Sequence, residues 1–501
     1  MRSLLLILLV LSAFATDLAG RDGVALQRGL GPSPDSLDPH RAQGLAAFNL
    51  LRDLHEGLLA RDAAGRAVPG VAHRWSISPD LRTWTFELDE NARWSDGRRI
   101  AASDFGRGSA RARDPATASP TARWLDAVTA IRAPDSSTVI LELDRPVPWL
   151  EELLTLPVAV PWRGSDLYSG PFRLVRAVPG SRFELERNPH YREAVRVAPD
   201  SVTWHVTEDP SSELARFRAG ELHVTETVPP GRTDWLHREL GDRLRIAPYL
   251  GSFYLAFNLR RPPFEGNAAL RRALSLAVDR EILTERVLGS GELPAFGLVP
   301  PGLDGWPDDT HAGARLDQAA RLAQARALFR EAGYGPRRPL EVELRFNSSL
   351  THRRLAVAVA AMWKQHLGVR TRLVNEEWKV FVTNRRQGRL TEIVRGGWIA
   401  DWADAANFLD NFHSASPMNY AFFDDPGYDG LLDAAHRTSG EERTALLVAA
   451  EQRLLAAQAV LPLYYYVSRH LVSEDVTGYV DNPLDIHPSR WMNLERRDAQ
   501  R

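Results

Sequence analysis

Residues 340–374 carry the pattern that most restricts how this chain can fold. Apolar and polar residues alternate over 340–346, which indicates a strand with one buried face. Over 353–367 apolar residues recur every three or four positions, which predicts a helix, and 369–374 predicts a second strand. A strand, a helix and a second strand form a βαβ-like unit. The chain is therefore expected to be an α/β protein with mixed sheets flanked by helices.

The same two periodicities recur elsewhere in the chain. Strands are predicted at 83–88 and 138–143, and the apolar stripe over 270–278 predicts a helix. Another helix is expected to end near Ala332, where the sequence Gly333-Tyr-Gly-Pro336 stops it. The length of 501 residues suggests about three domains at ~150 residues each. Segments with Pro and Gly, which favour domain breaks, occur near 69–70, 161–170 and 261–263.

Composition excludes several classes of function. A hydrophobic content of 44% and a charged content of 25% are ordinary for a globular protein, and the net charge is -2. A chain so close to neutrality has no strongly basic surface for nucleic acid, so no nucleic-acid partner is expected. The absence of cysteine excludes disulfides, cysteine metal sites and cysteine nucleophiles.

Residues 1–15 have the pattern of a cleavable signal peptide. Arg2 is followed by an apolar run over 4–11 and then by Ala13-Phe-Ala15, which offers small residues at a cleavage site. The run is too short to span a bilayer. Cleavage after Ala15 would export the chain, an uncleaved anchor being the alternative. Because no cysteine can carry a lipid, we expect a soluble, non-lipidated periplasmic protein.

The segment 395–408 contains a fixed cation and a fixed anion close together. Arg395 and Asp401 are separated by a short stretch rich in glycine and tryptophan. A free peptide is a zwitterion, and charge-assisted hydrogen bonds to its two ends are roughly twice as strong as neutral ones. The segment is therefore a candidate for binding both ends of a short peptide. The alternative is a solvated loop with incidental charges.

Further short motifs occur in order along the chain. They are His55-Glu-Gly-Leu-Leu59, Pro69-Gly-Val-Ala-His-Arg-Trp75, Trp94-Ser-Asp-Gly97, Ser103-Asp-Phe105, Asp114-Pro-Ala-Thr-Ala-Ser-Pro120, Arg271-Arg-Ala-Leu-Ser-Leu-Ala-Val-Asp-Arg280, Pro294-Ala-Phe-Gly297, Glu331-Ala-Gly-Tyr334 and Pro462-Leu-Tyr-Tyr-Tyr466. With them, the chain resembles the periplasmic oligopeptide-binding proteins of peptide ABC importers, known as solute-binding protein family 5. The motif Arg-x-Gly-Trp-x-Ala-Asp at 395–401 resembles that of the oligopeptide and murein-tripeptide branch.

The resemblance implies a fold like that of the type II periplasmic binding proteins, with two hinged lobes and an extra third domain. The lobes would close on the ligand about a hinge near Leu255 and Tyr466, and a bound ligand would stabilise the closed state. The implied segments are 16–68, 166–255 and 467–501 for lobe I, 69–165 for the extra lobe II, and 256–466 for lobe III.

Three charged or titratable residues match ligand-binding positions of the family. Asp401 matches an aspartate that pairs with the ligand ammonium, a surface turn being the alternative. Arg395 matches an arginine that meets the ligand carboxylate, for which its planar guanidinium is suited. A structural ion pair is its alternative. His352 matches a histidine near the same carboxylate, whereas a histidine at a helix start is otherwise a cap or a surface group.

The resemblance also implies a backbone contribution to binding. A strand edge at Gly397, Trp398 and Ile399 would pair with the peptide backbone, which gives affinity without reading side chains. From lobe I, three consecutive residues would face it, namely Glu56, Gly57 and Leu58. Pockets for ligand side chains would be lined by Trp378 and Arg385, although Trp378 could equally be core and Arg385 simply solvated.

The chain departs from the family in three places. Members often carry a cysteine at the position of Ile399, bonded to another near Gly251, and this chain has neither. An acidic residue often found near Ala256 is missing, and the segment 156–170 is short, which trims lobe II. These differences bear on the preferences of the pocket more than on the function.

The expected function is that of an extracytoplasmic monomer that delivers short peptides to a membrane permease and ATPase complex, without cofactors. Murein tripeptide or another peptide-like or opine-like solute is the alternative ligand, and nickel is disfavoured because the 14 histidines show no clustered spacing. A secreted hydrolase is the alternative of another class. No Gly-x-Ser-x-Gly or His-Glu-x-x-His motif occurs, so the chain is not expected to be an enzyme.

Overall fold

The computed structural model describes residues 24–307, 316–389 and 392–495. The predicted signal peptide, residues 1–15, lies outside them. Three sheets of four or more strands organise the described residues, and each contributes to a separate hydrophobic core.

The N-terminal sheet has four strands and is mixed. Its first strand runs parallel to the second, and the remaining neighbours are antiparallel. Helix Leu45–Leu54 packs against it, and Leu26, Phe172 and Trp204 are buried between them. The order across the sheet is Ala25–Gly31, Ser201–Val206, Arg182–Arg187 and Phe172–Val178.

The middle sheet is antiparallel and also has four strands. Alternate residues of its second strand, Trp84, Phe86 and Leu88, are buried, as the sequence pattern requires. Helix Ala102–Arg113 covers the buried face. The order is Ala72–Ile77, Thr83–Leu88, Thr138–Leu143 and Val128–Arg132.

The large sheet has six strands and is mixed. The order is Leu293–Pro294, Val460–Leu471, Leu244–Phe257, Ile393–Ile399, Glu341–Asn347 and Arg370–Glu376.

Both faces of the large sheet are covered, because successive side chains of a strand point in opposite directions. Phe253, Leu255 and Phe257 enter one core, whereas Tyr254 and Ala256 enter the other. The same alternation decides which side chains of the neighbouring strand, Ile393–Ile399, share a face.

The predicted βαβ unit is confirmed. Strand Glu341–Asn347, helix Leu350–Leu367 and strand Arg370–Glu376 follow one another, and the two strands are parallel neighbours. The helix begins at Leu350 because the hydroxyl of Ser349 accepts a hydrogen bond from the N–H of His352. It ends at Gly368, whose φ of 74° suits a residue without a side chain.

Short strand pairs and helices complete the structure. The strand pairs are Leu59–Arg61 with Ala67–Pro69 and Val476–Thr477 with Asn493–Leu494. The remaining α-helices are Leu150–Leu153, Pro210–Arg218, Thr233–Leu240, Ala268–Leu276, Arg280–Ile282, Gln318–Glu331, Trp378–Arg386, Ala406–Leu409, Pro426–Ala435 and Gly440–Ala456. A π-helix spans Leu283–Leu288, and short 3-10 helices span Ala122–Leu125, Pro157–Ala159, Ala194–Arg196, Gly241–Arg243, Asp410–Phe412 and Ser489–Trp491. In the part of the chain that the structure describes, no helix has both the length and the apolar character needed to cross a bilayer.

Candidate ligand-binding site

Strand Ile393–Ile399 has a free edge. One side pairs with the strand Leu244–Phe257 over its full length, but the other side pairs with Glu341–Asn347 only at Ile393 and Val394. Within the described ranges, no strand covers the other edge of residues 395–399. Unpaired backbone N–H and C=O groups at such an edge can bind an extended chain.

Two glycines shape this edge in different ways. A β-carbon on Gly396 would lie 2.2 Å from the ring of Tyr254, so packing requires glycine there. A β-carbon on Gly397 would have more room: it would lie 3.3 Å from Nη2 of Arg395 and 3.4 Å from both the hydroxyl of Tyr466 and the carbonyl oxygen of Ser252. The absence of a side chain at Gly397 therefore keeps these polar groups close to the exposed backbone.

At one end of the edge, Arg395 and His352 lie against the same aromatic ring. The guanidinium of Arg395 is 5.0 Å from the ring centroid of Phe253, and the ring centroid of His352 is 5.3 Å from it. Arg395 makes no ion pair with any acidic residue in the described ranges, so the structure does not support the ion-pair alternative. Its charge is available to a ligand.

Because His352 is not protonated near pH 7, Arg395 is the main cation at this end of the edge. Burial, together with the nearby charge of Arg395, lowers the pKa of His352 to about 4. The imidazole is therefore neutral near pH 7. Its Nδ1 lies 2.9 Å from Oδ1 of Asn347 and donates to it, which leaves Nε2 as an acceptor. His352 would meet a ligand carboxylate only after taking up a proton.

A second cation lies near Arg395. The guanidinium of Arg385 is 4.0 Å from the ring centroid of Tyr420 and 5.3 Å from that of Phe381. Burial lowers the pKa of Arg385, so the alternative that it is simply solvated is wrong. Trp378 stacks on Phe381 at 6.2 Å and is 49% exposed, so the alternative that it belongs to the core is also wrong.

Asp401 stands beyond the other end of the strand. Its carboxylate makes no hydrogen bond or ion pair with the residues that the structure describes. Partial burial raises its pKa, and the positive charge of Arg123 opposes this shift. Asp401 lines a cleft of about 690 Å³ together with Trp124, Trp149 and Trp398. Arginines, Arg123 among them, line the cleft as well, so it is the carboxylate of Asp401 beside these aromatic rings, and not the charge of the whole cleft, that suits an ammonium group.

The loop that carries Asp401 is held by Trp124, Trp149 and Glu152, which lie close in the chain to strands of the middle sheet. Trp402 stacks on Trp149, with ring centroids 6.1 Å apart, and Trp124 packs edge-on at 6.4 Å. The N–H of Ala403 donates to the carboxylate of Glu152 over 3.1 Å. These contacts come from residues outside the large sheet, and they fix the orientation of the loop with Asp401.

Trp398 and Ile399 lie on opposite faces of the strand. The indole N–H of Trp398 donates to Oδ1 of Asn407 over 2.6 Å, which fixes its ring. Ile399 is 44% exposed and lies directly opposite Gly251 on the neighbouring strand. Gly251 and Ile399 are the positions at which the resembled family often carries bonded cysteines.

The two ends of the edge are a short-peptide length apart. A strand rises about 3.3 Å per residue, so the Cα atoms of Arg395 and Ile399 lie about 13 Å apart. An extended tripeptide spans about 10 Å. The charged groups beyond the ends of this span can therefore reach the two termini of a peptide of a few residues.

Glu56, Gly57 and Leu58 are engaged within their own part of the chain. The carboxylate of Glu56 accepts hydrogen bonds from Tyr191, Arg192 and Arg490. The carbonyls of Gly57 and Leu58 accept from backbone N–H groups of residues 70–72. The side chain of Glu56 therefore stabilises the fold, and the role of 56–58 in facing the ligand stays a prediction.

Sequence reasoning missed the aromatic residues that orient the charged ones. Phe253, Trp149 and Trp402 belong to this group, as does Tyr466 beside Gly397. Trp402 lies inside the segment 395–408, so the density of tryptophan there was the one available signal. The partners of these residues are distant in sequence and carry no local pattern.

The fold also gathers a histidine cluster that sequence spacing does not reveal. Ligand atoms of His470, Asp485 and His487 lie within 4.8 Å of one another. Nδ1 of His470 donates to the carbonyl of Thr225, and Nδ1 of His487 accepts from the amide of Asn482. The cluster is accounted for by an ion pair between His470 and Asp485.

Comparison with known proteins identifies the family. Residues 66–420 match bacterial extracellular solute-binding proteins, family 5 Middle. The chain is 35% identical over 503 residues to the periplasmic oligopeptide-binding protein OppA of Escherichia coli (strain K12), covering 94% of this chain and 92% of that protein.

Solved structures agree with this match. The unliganded open form of the periplasmic murein tripeptide-binding protein MppA gives a TM-score of 0.88 at 32% identity, covering 94% of this chain and 98% of that one. Another structure, of MppA from Escherichia coli, gives 0.75 at 32% identity, covering 94% and 99%. The predicted α/β fold of a periplasmic binding protein is thus confirmed, and the TM-score is higher against the open form than against the other MppA structure. As predicted, the chain belongs to the bacterial extracellular solute-binding proteins of family 5.

Proposed function

We propose that this protein captures short peptides at the free edge of residues 395–399 and delivers them to an ABC importer. The observation that carries the proposal is the position of this edge between a cation, Arg395, and an anion, Asp401, neither of which forms an ion pair with the residues that the structure describes. The edge would pair with the peptide backbone, Asp401 would bind the ammonium and Arg395 the carboxylate.

The lobes of the proposal are those expected from the sequence. Lobe I comprises 16–68, 166–255 and 467–501, and it would close on lobe III, 256–466, with lobe II, 69–165, as the extra domain. Because Glu56, Gly57 and Leu58 belong to lobe I, closure would bring them toward the edge. Ligand binding would then favour the closed state through its greater affinity for that state.

The names of the relatives support a location in the periplasm for this protein. The similar proteins OppA and MppA are periplasmic by name, which supports export of this chain and cleavage after Ala15. A soluble, non-lipidated monomer that serves a membrane permease and ATPase complex is proposed. N-terminal sequencing of the periplasmic fraction should begin near Thr16, and an intact Met1 would contradict it.

Murein tripeptide is the second candidate ligand. It also presents an ammonium and a carboxylate, and a murein tripeptide-binding protein is among the similar solved structures. Opine-like conjugates offer the same pair of charges. The two cations near one end of the edge, Arg385 and Arg395, would suit a ligand with more than one carboxylate.

We infer binding without turnover. His55 and Glu56 match the first two positions of a His-Glu-x-x-His motif, but Leu59 stands at the position of the second histidine. His55 is buried and its pKa is lowered to about 3, so it offers no ready general base. Peptides recovered after incubation with the protein should be intact. Their cleavage would favour the hydrolase alternative.

The test of the binding proposal uses ligands from the cell and from a library. Mass spectrometry of material that co-purifies from the periplasm should detect short peptides or murein peptides. A ligand at about 100 times Kd adds ~2.7 kcal/mol to the free energy of unfolding, so binding peptides of about two to five residues should raise the Tm. If no peptide in a mixed library that includes murein tripeptide raises it, the proposal fails.

A further inference from the structure

A small cavity behind the segment 55–61 is lined by more positive than negative charge. Arg52, Arg61 and Arg490 all line it, whereas Glu56 is the one carboxylate among its lining residues. Glu56 and Gly57, which the proposed function brings toward the ligand, also line this cavity, but the proposed function gives no role to its arginines.

Arg61 places unpaired donors at this cavity. Its side chain is 2% exposed, and its Nη1 donates to Glu152 over 2.8 Å and to the carbonyl of Gly65 over 2.9 Å. Nε and Nη2 of Arg61 are buried without a hydrogen-bond partner in the described residues, and so is Nδ1 of His55. Leaving a buried charged donor unsatisfied costs free energy, so a bound acceptor is expected beside it.

The nearby carboxylates already form ion pairs with arginines. Glu56 accepts from Arg192 and Arg490, and Glu152 accepts from Arg61. Arg52 has no carboxylate within ion-pair distance in the described ranges, and its Nη1 donates to the side-chain oxygen of Asn49. Glu193 also lies 3.4 Å from Arg192 and 3.8 Å from Arg490, so four arginines face three glutamates and the local charge is one cation in excess.

The lowered pKa of Arg52 also indicates an excess of positive charge at the cavity. Burial lowers the pKa of Arg52 to about 9, and the charge of Arg61 adds to the effect. Two guanidinium groups that repel each other across a cavity would both be stabilised by an anion between them.

The size of the cavity limits what it can hold. Its volume is about 30 Å³. A buried water needs roughly 10–15 Å³ of such space, so the cavity has room for one small ion or a pair of waters. A peptide terminus with its attached chain does not fit.

We propose that this cavity, lined by Arg52, Arg61 and His55, is a binding site for a small monovalent anion of chloride size. The anion would accept hydrogen bonds from the unpaired donors of Arg61 and neutralise the excess charge. It would stabilise the part of the chain that carries residues 55–61 in the absence of any peptide.

The test measures the Tm of the full-length protein as sodium chloride replaces sodium gluconate at constant ionic strength. We expect a rise in Tm that saturates with chloride concentration, and bromide should act in the same way. Equal Tm values in chloride and gluconate would mean that waters satisfy Arg61, and the proposal would be wrong.

Two variants make the test specific. Arg52→Gln removes the excess cation and leaves the pair of Arg61 and Glu152 intact, so the chloride-dependent rise should be lost. Arg66→Gln is the matched control, because Arg66 is exposed, pairs with Asp62 and lies outside the cavity. Retention of the rise in Arg52→Gln would overturn the proposal. If Arg52→Gln does not fold, broadening of the chloride NMR line by the wild-type protein, reversed by bromide, decides the question instead.

Discussion

The indole of Trp402 stacks on that of Trp149, with ring centroids 6.1 Å apart and an angle of 9° between the ring planes. Trp402 directly follows Asp401, whereas Trp149 belongs to the segment around the middle sheet. The carboxylate proposed to bind the ligand ammonium is therefore oriented by residues from a distant part of the chain.

Trp402→Leu should weaken the binding of free-amino peptides by about 2- to 10-fold. An aromatic pair contributes ~0.5–1.5 kcal/mol beyond its buried area, and without it Asp401 would be held less firmly. Isothermal calorimetry measures the change. Trp235→Leu, at an aromatic residue away from the cleft, is the control and should leave Kd unchanged. An equal loss for N-acetylated peptides would mean that the stack does not act through Asp401.

Asp401→Ala should weaken free-amino peptides by about 30-fold or more. Truncating one partner of a buried charge pair costs ~2–5 kcal/mol, and each ~1.4 kcal/mol is a factor of ten in Kd. N-acetylated peptides should bind the wild type poorly, and the mutation should affect them much less. Calorimetry with both peptide forms separates the outcomes, since equal losses would show that Asp401 does not read the amino terminus.

Arg395→Ala should show the reciprocal pattern with C-terminally amidated peptides. Arg395 faces the edge without an acidic partner in the described residues, and His352 beside it is neutral near pH 7. The loss for free-carboxylate peptides should therefore be of the same order, ~2–5 kcal/mol. His352→Gln, measured by the same calorimetry, should have a smaller effect. A larger effect of His352→Gln would contradict this assignment.

The adjacent glycines should respond differently to the same substitution. Gly396→Ala places a β-carbon 2.2 Å from the ring of Tyr254 and should destabilise the fold by ~1–3 kcal/mol through overpacking. Gly397→Ala meets Nη2 of Arg395, the hydroxyl of Tyr466 and the carbonyl oxygen of Ser252 at 3.3–3.4 Å, a tight fit without a clash, and should lower the free energy of unfolding less than Gly396→Ala does. Urea unfolding of both variants checks the difference, and similar losses would show that the strand is packed otherwise.

Stability should fall as pH rises from about 6.5 to about 9 because of His470. Burial alone would lower the pKa of His470, but the charge of Asp485 and its hydrogen bond outweigh it and raise the pKa to about 9. A group whose pKa is higher in the folded state stabilises it fully below its unfolded pKa, and this contribution is lost as pH rises through the folded pKa. The loss is at most about 1.4 kcal/mol per pH unit for this proton.

Urea unfolding between pH 7 and 9, in steps, measures this dependence. Burial also raises the pKa of Glu226 to about 8, and a proton bound in the folded state gives a slope of the same sign. His470→Gln should therefore flatten the slope in part, whereas the exposed His73→Gln should not change it. An unchanged slope in His470→Gln would contradict the ion pair with Asp485.

Local periodicity was sufficient for the few strands and helices that it predicted. The predicted strands at 83–88 and 138–143 match the observed strands Thr83–Leu88 and Thr138–Leu143, because alternation reports which residues a strand buries. The helix predicted over 270–278 occurs as Ala268–Leu276, shifted at its ends. Helix ends depend on caps such as Asn267, whose side chain accepts from Leu270 and which periodicity does not register.

The burial of single side chains could not be predicted in this way. The sequence allows Trp378 to line a pocket or to belong to the core, and Arg385 to line a pocket or to be solvated. In the structure, Trp378 is exposed and Arg385 packs on Tyr420. Both residues lie on the short helix Trp378–Arg386. Which face of this helix is covered depends on elements that follow it in the chain, and no pattern within the helix reports them.

The amino-acid order alone placed Arg395, Gly397 and Asp401 within one short segment, because a motif is a property of neighbouring residues. It also supported the family, which the comparisons confirm. Only the tertiary structure left one edge of residues 395–399 without a partner strand in the described ranges, and brought Phe253 and Trp149 to the charged ends. Strand divergence and aromatic stacking arise between segments far apart in the chain, so their energies depend on packing that no local sequence pattern encodes.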